Sequence, residues 1–311
     1  MTVWDVIERF AGPATRAWAR EAREENLGLA GFIHGYVYTR WPYLYIRTAL
    51  GKHVLSIVFV PLYLLWQGLR YLGARLVGRN PAELADFADG YHGKVVPLDK
   101  AKKLITINRD IHIDDLEQVL PYASARKLVL EHAADLVVLD CPCRVSKKEH
   151  CTPVDVCLIV GQPFSGFVLE HHPEKSRRIT TAEALDILEQ ENKRGHVSHA
   201  FFKDAMLGRF YAICNCCSCC CGAMKAMRNG LPMLAPSGYS AVVDAGLCVG
   251  CGKCAKICPF DAITMGPDNT ALIGESCMGC GVCTHSCAKE ALSLVVDPAK
   301  GVPLDVDALT D

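Results

Sequence analysis

The chain has 311 residues, 50% of them apolar and 22% charged, which excludes a disordered protein and allows one to three globular domains. Lysine and arginine total 33 against 34 acidic residues, a net charge of -1, which excludes the basic balance of a nucleic-acid binder. The outlier is cysteine, at 18: the chain is too long for a secreted disulfide scaffold. "MTVWDVIERF" lacks a secretory pattern, so the thiols read as metal ligands in a reducing compartment. The expected location is cytoplasmic, peripheral on the inner face of the membrane.

Residues 1–90 contain no cysteine and read as an N-terminal helical arm. A helix is expected around "ATRAWAREAREEN", followed by an aromatic-rich stretch and the uncharged run Val54–Leu69. Sixteen helical residues reach roughly 24 Å, short of a hydrocarbon core of about 30 Å, and Pro61 interrupts them. Lys52 and Arg70 close the run, and Tyr, Trp and Arg crowd its flanks, which suits a headgroup interface. Three placements stay open: an interfacial anchor, a helix buried against protein, and a true span.

Residues 91–237 form a cysteine-rich module. "GKVVPL" and "KKLITIN" read as short strands, and a helix is expected from Asp114, kinked at Pro121. "ITTAEALDILEQENKRG" reads as a helix capped by Thr180 or Thr181, with Glu183 in its first turn, Lys193 and Arg194 in its last, and Gly195 ending it. Ten cysteines lie around these elements: Cys141, Cys143, Cys151 and Cys157, then Cys214, Cys216, Cys217, Cys219, Cys220 and Cys221. Thiolates at C-x-C can take one metal or two corners of one cluster. Adjacent cysteines in "CNCCSCCC" diverge, so only a subset can serve any one site. Arg144 is placed to offset thiolate charge or to lower a neighbouring thiol's pKa. An iron–sulfur cluster, structural zinc, and free or disulfide-bonded thiols all remain open here. His150, His171, His172, His196 and His199 lie near these cysteines in sequence as further candidate ligands or proton relays.

Residues 238–311 contain an internal repeat. "CVGCGKCAKICPFDAI" at 248 recurs as "CMGCGVCTHSCAKEAL" at 277, with every cysteine at the same offset. Three thiolates at C-x2-C-x2-C fall on one tight loop, and the fourth cysteine starts away from it. Gly250, Gly252, Gly279 and Gly281 accept unusual φ and let backbone N–H groups approach inorganic sulfur. Lys253 and Lys256 read as a solvated face.

This repeat resembles bacterial two-cluster [4Fe–4S] ferredoxins. The resemblance implies one cluster on Cys248, Cys251, Cys254 and Cys287, and a second on Cys277, Cys280, Cys283 and Cys258. Pro259 matches the family's proline, and Ala288 replaces it in the second half. The central module, through "CPCR", Cys151, Cys157 and "ICNCCSCCC", resembles the upstream module of uncharacterised 4Fe–4S binding, ferredoxin-like proteins of anaerobes. The implied fold class is α+β: a ferredoxin-like two-[4Fe–4S] domain after a helix-rich cysteine module and the helical arm. Two [4Fe–4S] clusters and one or two additional iron–sulfur clusters are expected. The expected function is electron transfer within an anaerobic membrane-associated redox system, with redox proteins and a membrane surface as partners and no nucleic acid. The competing expectation is an oxidoreductase in which a central cluster is the catalytic site and the ferredoxin domain its donor; a third is a zinc-stapled docking module. No G-x-G-x-x-G after a strand, P-loop or Ser/His/Asp pattern supports flavin, nicotinamide, ATP or hydrolase chemistry.

Overall fold

The computed structural model describes residues 2–58, 61–62, 65–66, 68–69, 91–107 and 135–304. The helix expected from Asp114 and part of the Val54–Leu69 run lie outside the described residues.

The N-terminal segment is four helices: α1 (Val3–Phe10), α2 (Pro13–Glu24), α3 (Leu29–Arg40) and α4 (Pro42–Ala49). Thr2 starts α1 with a capping box, donating its N–H to Asp5 and accepting from the Asp5 N–H in return. On α2, the helix expected around "ATRAWAREAREEN", Trp18, Ala19 and Ala22 make one buried stripe. Trp18 meets Phe32, Phe164 and Phe167 edge to face at centroid distances of 5.1–5.5 Å. Phe164 and Phe167 belong to α7 (Phe164–His171) of the central module. The expected arm is therefore packed onto that module instead of projecting from it.

The central module is built on a seven-stranded sheet, a correction to the expectation that it is helix-rich. Its strands are β1 (Tyr91–Val95), β2 (Leu136–Asp140), β3 (Asp155–Val160), β4 (Ser176–Ile179), β5 (Val197–Lys203), β6 (Arg209–Cys216) and β7 (Leu234–Ala235). They lie in the order β4-β2-β3-β6-β5-β1-β7, antiparallel except for the β1–β7 pair. Both faces of the sheet are covered, so the central strands are apolar runs such as "LVVLD" and "DVCLIV". These lack the alternation that marks a half-exposed strand. One face carries the N-terminal helices. The other carries α5 (Leu98–Thr106) and α8 (Thr181–Lys193) through Leu104, Ile105, Ala184 and Leu188.

"KKLITIN" is a second correction, because most of it lies in α5. Leu98, Ala101, Leu104 and Ile105 are its buried residues, a helical spacing that outweighs the β-propensity of Ile and Thr. The expected helix α8 forms with Thr180 as its cap, accepting from the Glu183 N–H at 3.2 Å. α6 (Pro142–Val145), a single turn, and α9 (Gly222–Arg228), about two turns, lie next to the cysteines.

The C-terminal part pairs β8 (Tyr239–Val243) with β11 (Leu292–Val296) and β9 (Ile263–Met265) with β10 (Ala271–Ile273), all antiparallel. α10 (Lys253–Ile257) and α11 (Val282–Ser286) are the repeated helices. The repeat extends to the dihedrals: Gly252 and Gly281 have φ of 66° and 74°, and Asp261 and Glu290 have 54° and 50°. This part also rests on the sheet module. Met278 and Val282 join the same core cluster as Trp18 and Cys157, and Arg228 donates to the carbonyl of Pro259 at 3.2 Å.

Candidate metal centres

Helix α10 starts at the left-handed Gly252 and ends at Cys258, and α11 starts at Gly281 and ends at Cys287. The first two cysteines of each half therefore sit on a loop that bends through positive φ, and the third lies in the first turn of the helix that follows. In the second half that loop lies under β8. A single cavity is lined by Cys258 from the first half together with Cys277, Cys280 and Cys283 from the second. Ala241, Ile263 and Leu294 wall it with apolar atoms. This arrangement fits a four-thiolate cluster held in a dry, shaped recess. Burial pushes the Cys280 thiol up, and it pushes Cys283 up to about 12. Thiols crowded this way ionise together only when a cation supplies the opposing charge.

The two halves differ in exposure. Cys251 is exposed, with Cys248, Cys254, Cys258 and Cys287 partly covered, whereas Cys277 and Cys283 are buried. The set containing Cys251 faces outward, and the set containing Cys277 faces the sheet module. Lys253 and Lys256 are exposed.

The ten central cysteines fall into two groups, a partition that their spacing does not reveal. "CNCCSCCC" crosses three local structures: Cys214 and Cys216 end β6, residues 217–220 make a turn in which the Cys220 and Cys221 N–H groups donate to the Cys217 carbonyl, and Cys221 caps α9. The turn faces Cys151. The Sγ atoms of Cys151, Cys217, Cys219 and Cys220 all lie within 4.8 Å of one another, with Cys151 and Cys219 at 3.0 Å. A tetrahedral ion with metal–sulfur bonds of about 2.3 Å separates its four sulfurs by roughly 3.8 Å. The four corner thiolates of an iron–sulfur cube stand farther apart, because the inorganic core lies between them. This group fits one ion.

Its surroundings are cationic. Lys147 donates to the carbonyl of Cys219, and Arg228 to that of Ser218 at 2.9 Å. Burial opposes ionisation of Cys219, but hydrogen bonds from the Cys151, Cys220 and Cys217 thiols bring it below its ordinary value. Burial raises Cys151 to about 11, with the Cys219 thiol adding to the shift.

The other six cysteines form a circuit on one face of the sheet. Thiol contacts run from Cys214 to Cys157, Cys157 to Cys141, Cys141 to Cys143, Cys143 to Cys221 and Cys221 to Cys216. Cys157 pairs directly with Cys214 across β3 and β6. The Gly222 N–H points at the Cys143 sulfur from 3.4 Å. Hydrogen bonds from the Cys143 and Cys157 thiols hold Cys141 well below the usual thiol range against its burial, with help from Arg144.

Arg144 stands between the two groups, close enough for its charge to act on both Cys141 and Cys217. It is completely buried, pairs with the Glu191 carboxylate, and donates to the Asn215 carbonyl at 3.0 Å. Glu191 supplies its counter-charge, so Arg144 is first an internal ion pair and only secondarily a cation for thiolates. Glu191 was not among the residues expected at the site: it sits in the last turn of α8, with nothing in the sequence to mark it as buried.

Four of the five candidate histidines are engaged elsewhere. His171 contacts the Thr15 hydroxyl at 3.2 Å, and His172 the Thr39 carbonyl at 2.8 Å. His196 contacts Glu191 at 2.7 Å, and His150 lies exposed against the Cys151 carbonyl. His199 differs: it is completely buried and neither ring nitrogen makes a hydrogen bond.

Comparison with known families places a 4Fe-4S binding domain at residues 241–264, the segment that contains the first of the two cysteine runs. No curated protein matches the chain. No helix among the described residues is long and apolar enough to cross a membrane. The 241–264 segment indicates at least one [4Fe–4S] cluster, and with the cysteine clusters it supports an iron–sulfur electron-transfer role for this α+β chain.

Proposed function

We propose that the protein is a two-cluster electron carrier whose inner cluster delivers to, or draws from, the central module. The observation that carries this reading is the cavity shared by Cys258 with Cys277, Cys280 and Cys283. It joins the two halves of the repeat in the pairing expected of two-cluster ferredoxins, leaving Cys248, Cys251, Cys254 and Cys287 as the outer set. When bound, the clusters supply one-electron redox chemistry. The chain's own residues do the rest. Gly250, Gly252, Gly279 and Gly281 shape the ligand loops, and the apolar wall of the inner cavity excludes water. Exposed Cys251, Lys253 and Lys256 present the outer set to a redox partner protein.

The compact site of Cys151, Cys217, Cys219 and Cys220 is read as one tetrahedral thiolate ion, zinc or a single iron. It ties the loop after α6 to the turn after β6 within the central module. The chain is further read as a subunit of an anaerobic redox system at a membrane surface. Exposed Val54, Ile57, Leu62 and Leu65 support that docking face, because exposed apolar side chains at such spacing favour an interface.

The test is metal analysis and EPR of protein purified without oxygen, alongside Cys283→Ser and Cys254→Ser. Each variant is expected to lose about four iron, and the reduced wild type to show two interacting signals. A wild type with four iron or fewer, or a Cys283→Ser protein that keeps them all, overturns the two-cluster reading.

A further inference from the structure

Six central thiols remain outside every site assigned above, and so does His199, a buried histidine whose ring nitrogens make no hydrogen bond among the described residues. They lie together. The register pairs Leu139 with Cys157, Cys157 with Cys214, Cys214 with His199, and His199 with Val95, so these five residues form a row across β2, β3, β6, β5 and β1. His199 lies on the face that carries Val197, Phe201, Cys157 and Cys216, two positions from each of its apolar strand neighbours. Cys141 and Cys143 approach from the end of β2, and Cys216 and Cys221 from the end of β6. The circuit closes beside Cys214.

We propose that Cys141, Cys143, Cys157, Cys214, Cys216 and Cys221 form an iron–sulfur site of their own, with His199 presenting a ring nitrogen to it. This rests on the electron-transfer reading above and adds a third centre to it. Three observations carry the assignment. The first is number and burial: Cys141, Cys157, Cys216 and Cys221 are buried, and Cys143 and Cys214 are half-buried, a concentration of thiols that ordinary packing does not require.

The second is span. Cys157 and Cys214 come from adjacent strands and Cys141 follows directly on the next, β2; strands stand about 4.8 Å apart, so the circuit is roughly 10 Å across. One tetrahedral ion cannot bridge that width, whereas a polynuclear cluster can, and six thiols more than complete the four corners of a cube. The four-thiol group by Lys147 is compact by comparison, which separates the two sites by kind as well as by residues.

The third is His199. A buried imidazole without a hydrogen bond loses its hydration with no return, a cost of about 1–3 kcal/mol. Cross-strand partners on one face hold their side chains about 5 Å apart, so its ring stands at the Cys214 side of the circuit. Ligation of iron, or an N–H donated to a cluster sulfur, satisfies it. The site also lies on the route inward, since Met278, Val282 and Cys280 from the inner ferredoxin loop pack in the same core cluster as Cys141, Cys157, Cys216 and Cys221.

The experiment uses the full chain, purified and reconstituted with iron and sulfide under nitrogen. The wild type is expected to hold about twelve iron and twelve sulfide, four more of each than the two ferredoxin-like clusters require. The double variant Cys157→Ser/Cys214→Ser is expected to lose about four iron and keep eight, while Cys151→Ser/Cys219→Ser keeps all twelve and loses the single ion. In protein carrying nitrogen-15 histidine, pulsed EPR of the reduced state is expected to show a nitrogen coupling that His199→Gln abolishes. Eight iron in the wild type, with the six thiols open to alkylation, overturns the proposal even if no variant folds. A nitrogen coupling that is absent, or that survives His199→Gln, overturns the role of His199. Failure of the ferredoxin reading registers separately, as fewer than eight iron in the double variant or no loss in Cys283→Ser.

Discussion

Gly279→Ala and Gly252→Ala are the same chemical change at two glycines of the cysteine loops, at different positions of the repeat but with similar backbone angles, φ of 63° and 66°. An alanine at either position pays the left-handed penalty, about 1–2 kcal/mol. Their surroundings differ. A Cβ at 252 meets no atom within 4 Å, whereas a Cβ at 279 falls 2.1 Å from the Tyr239 carbonyl oxygen and 2.3 Å from the Ser237 hydroxyl. Those neighbours cannot yield cheaply. The Ser237 hydroxyl donates to the Gly279 carbonyl at 2.7 Å, its N–H donates to Met278 at 3.0 Å, and Tyr239 is the first residue of β8. Relieving the clash breaks both hydrogen bonds, at about 1 kcal/mol each, and shifts the loop carrying Cys277 and Cys280. Gly279→Ala is therefore expected to cost about 3–4 kcal/mol, against about 1–2 for Gly252→Ala. The assay is anaerobic urea titration of the metal-loaded protein, following visible absorbance and far-ultraviolet circular dichroism together. Gly279→Ala should bleach at clearly lower urea and lose the inner four iron first. Equal midpoints for the two variants would refute the claim that contact with β8 decides between them.

Glu191→Gln keeps the shape of the buried carboxylate and strands Arg144, whose side chain is 0% exposed; unfolding free energy should fall by about 3–5 kcal/mol, read from urea midpoints. If that variant is as stable as the wild type, the ion pair is not what holds α8 to the thiol layer. Lys203 is buried beneath Tyr38 and Tyr45, and burial lowers its pKa from 10.5 to about 7. The unfolded chain binds the proton more tightly, so this group destabilises the fold below pH 7, and the penalty lifts as pH rises from about 7 towards 10.5. Stability should climb over that window by up to about 1.4 kcal/mol per pH unit, and Lys203→Met should flatten the slope; an unchanged slope removes Lys203 as its source. Cobalt(II) offered to zinc-depleted protein should give the visible bands of a tetrahedral thiolate site, and Cys219→Ser should abolish them without changing the iron count. Bands that persist in that variant would place the ion elsewhere.

Much of the local structure was readable along the chain. Thr180, Glu183 and Gly195 mark both ends of α8 because capping chemistry acts over three or four residues. The two cysteine runs are likewise short-range patterns, and their glycines carry the positive φ that the spacing demands. "KKLITIN" misled because its β-branched residues outweigh its periodicity when Leu98 and Ala101 are left out of the window. The sheet itself was hidden, since strands covered on both faces show no alternation, and β5 buries His199 and Lys203 along with its aromatics.

From the sequence alone follow the two repeated cysteine runs, their eight cysteines, and the surplus of ten more, because each is a matter of residue type and short spacing. Which of those ten lie together was decided by tertiary structure. Cys151 meets Cys219 across 68 residues, and Cys157 meets Cys214 only because β3 and β6 pair in one particular register. A shift of one residue would turn either thiol to the opposite face of the sheet. The division into a four-thiol group and a six-thiol circuit beside His199 is therefore a property of strand pairing, on which the spacing of "CNCCSCCC" is silent.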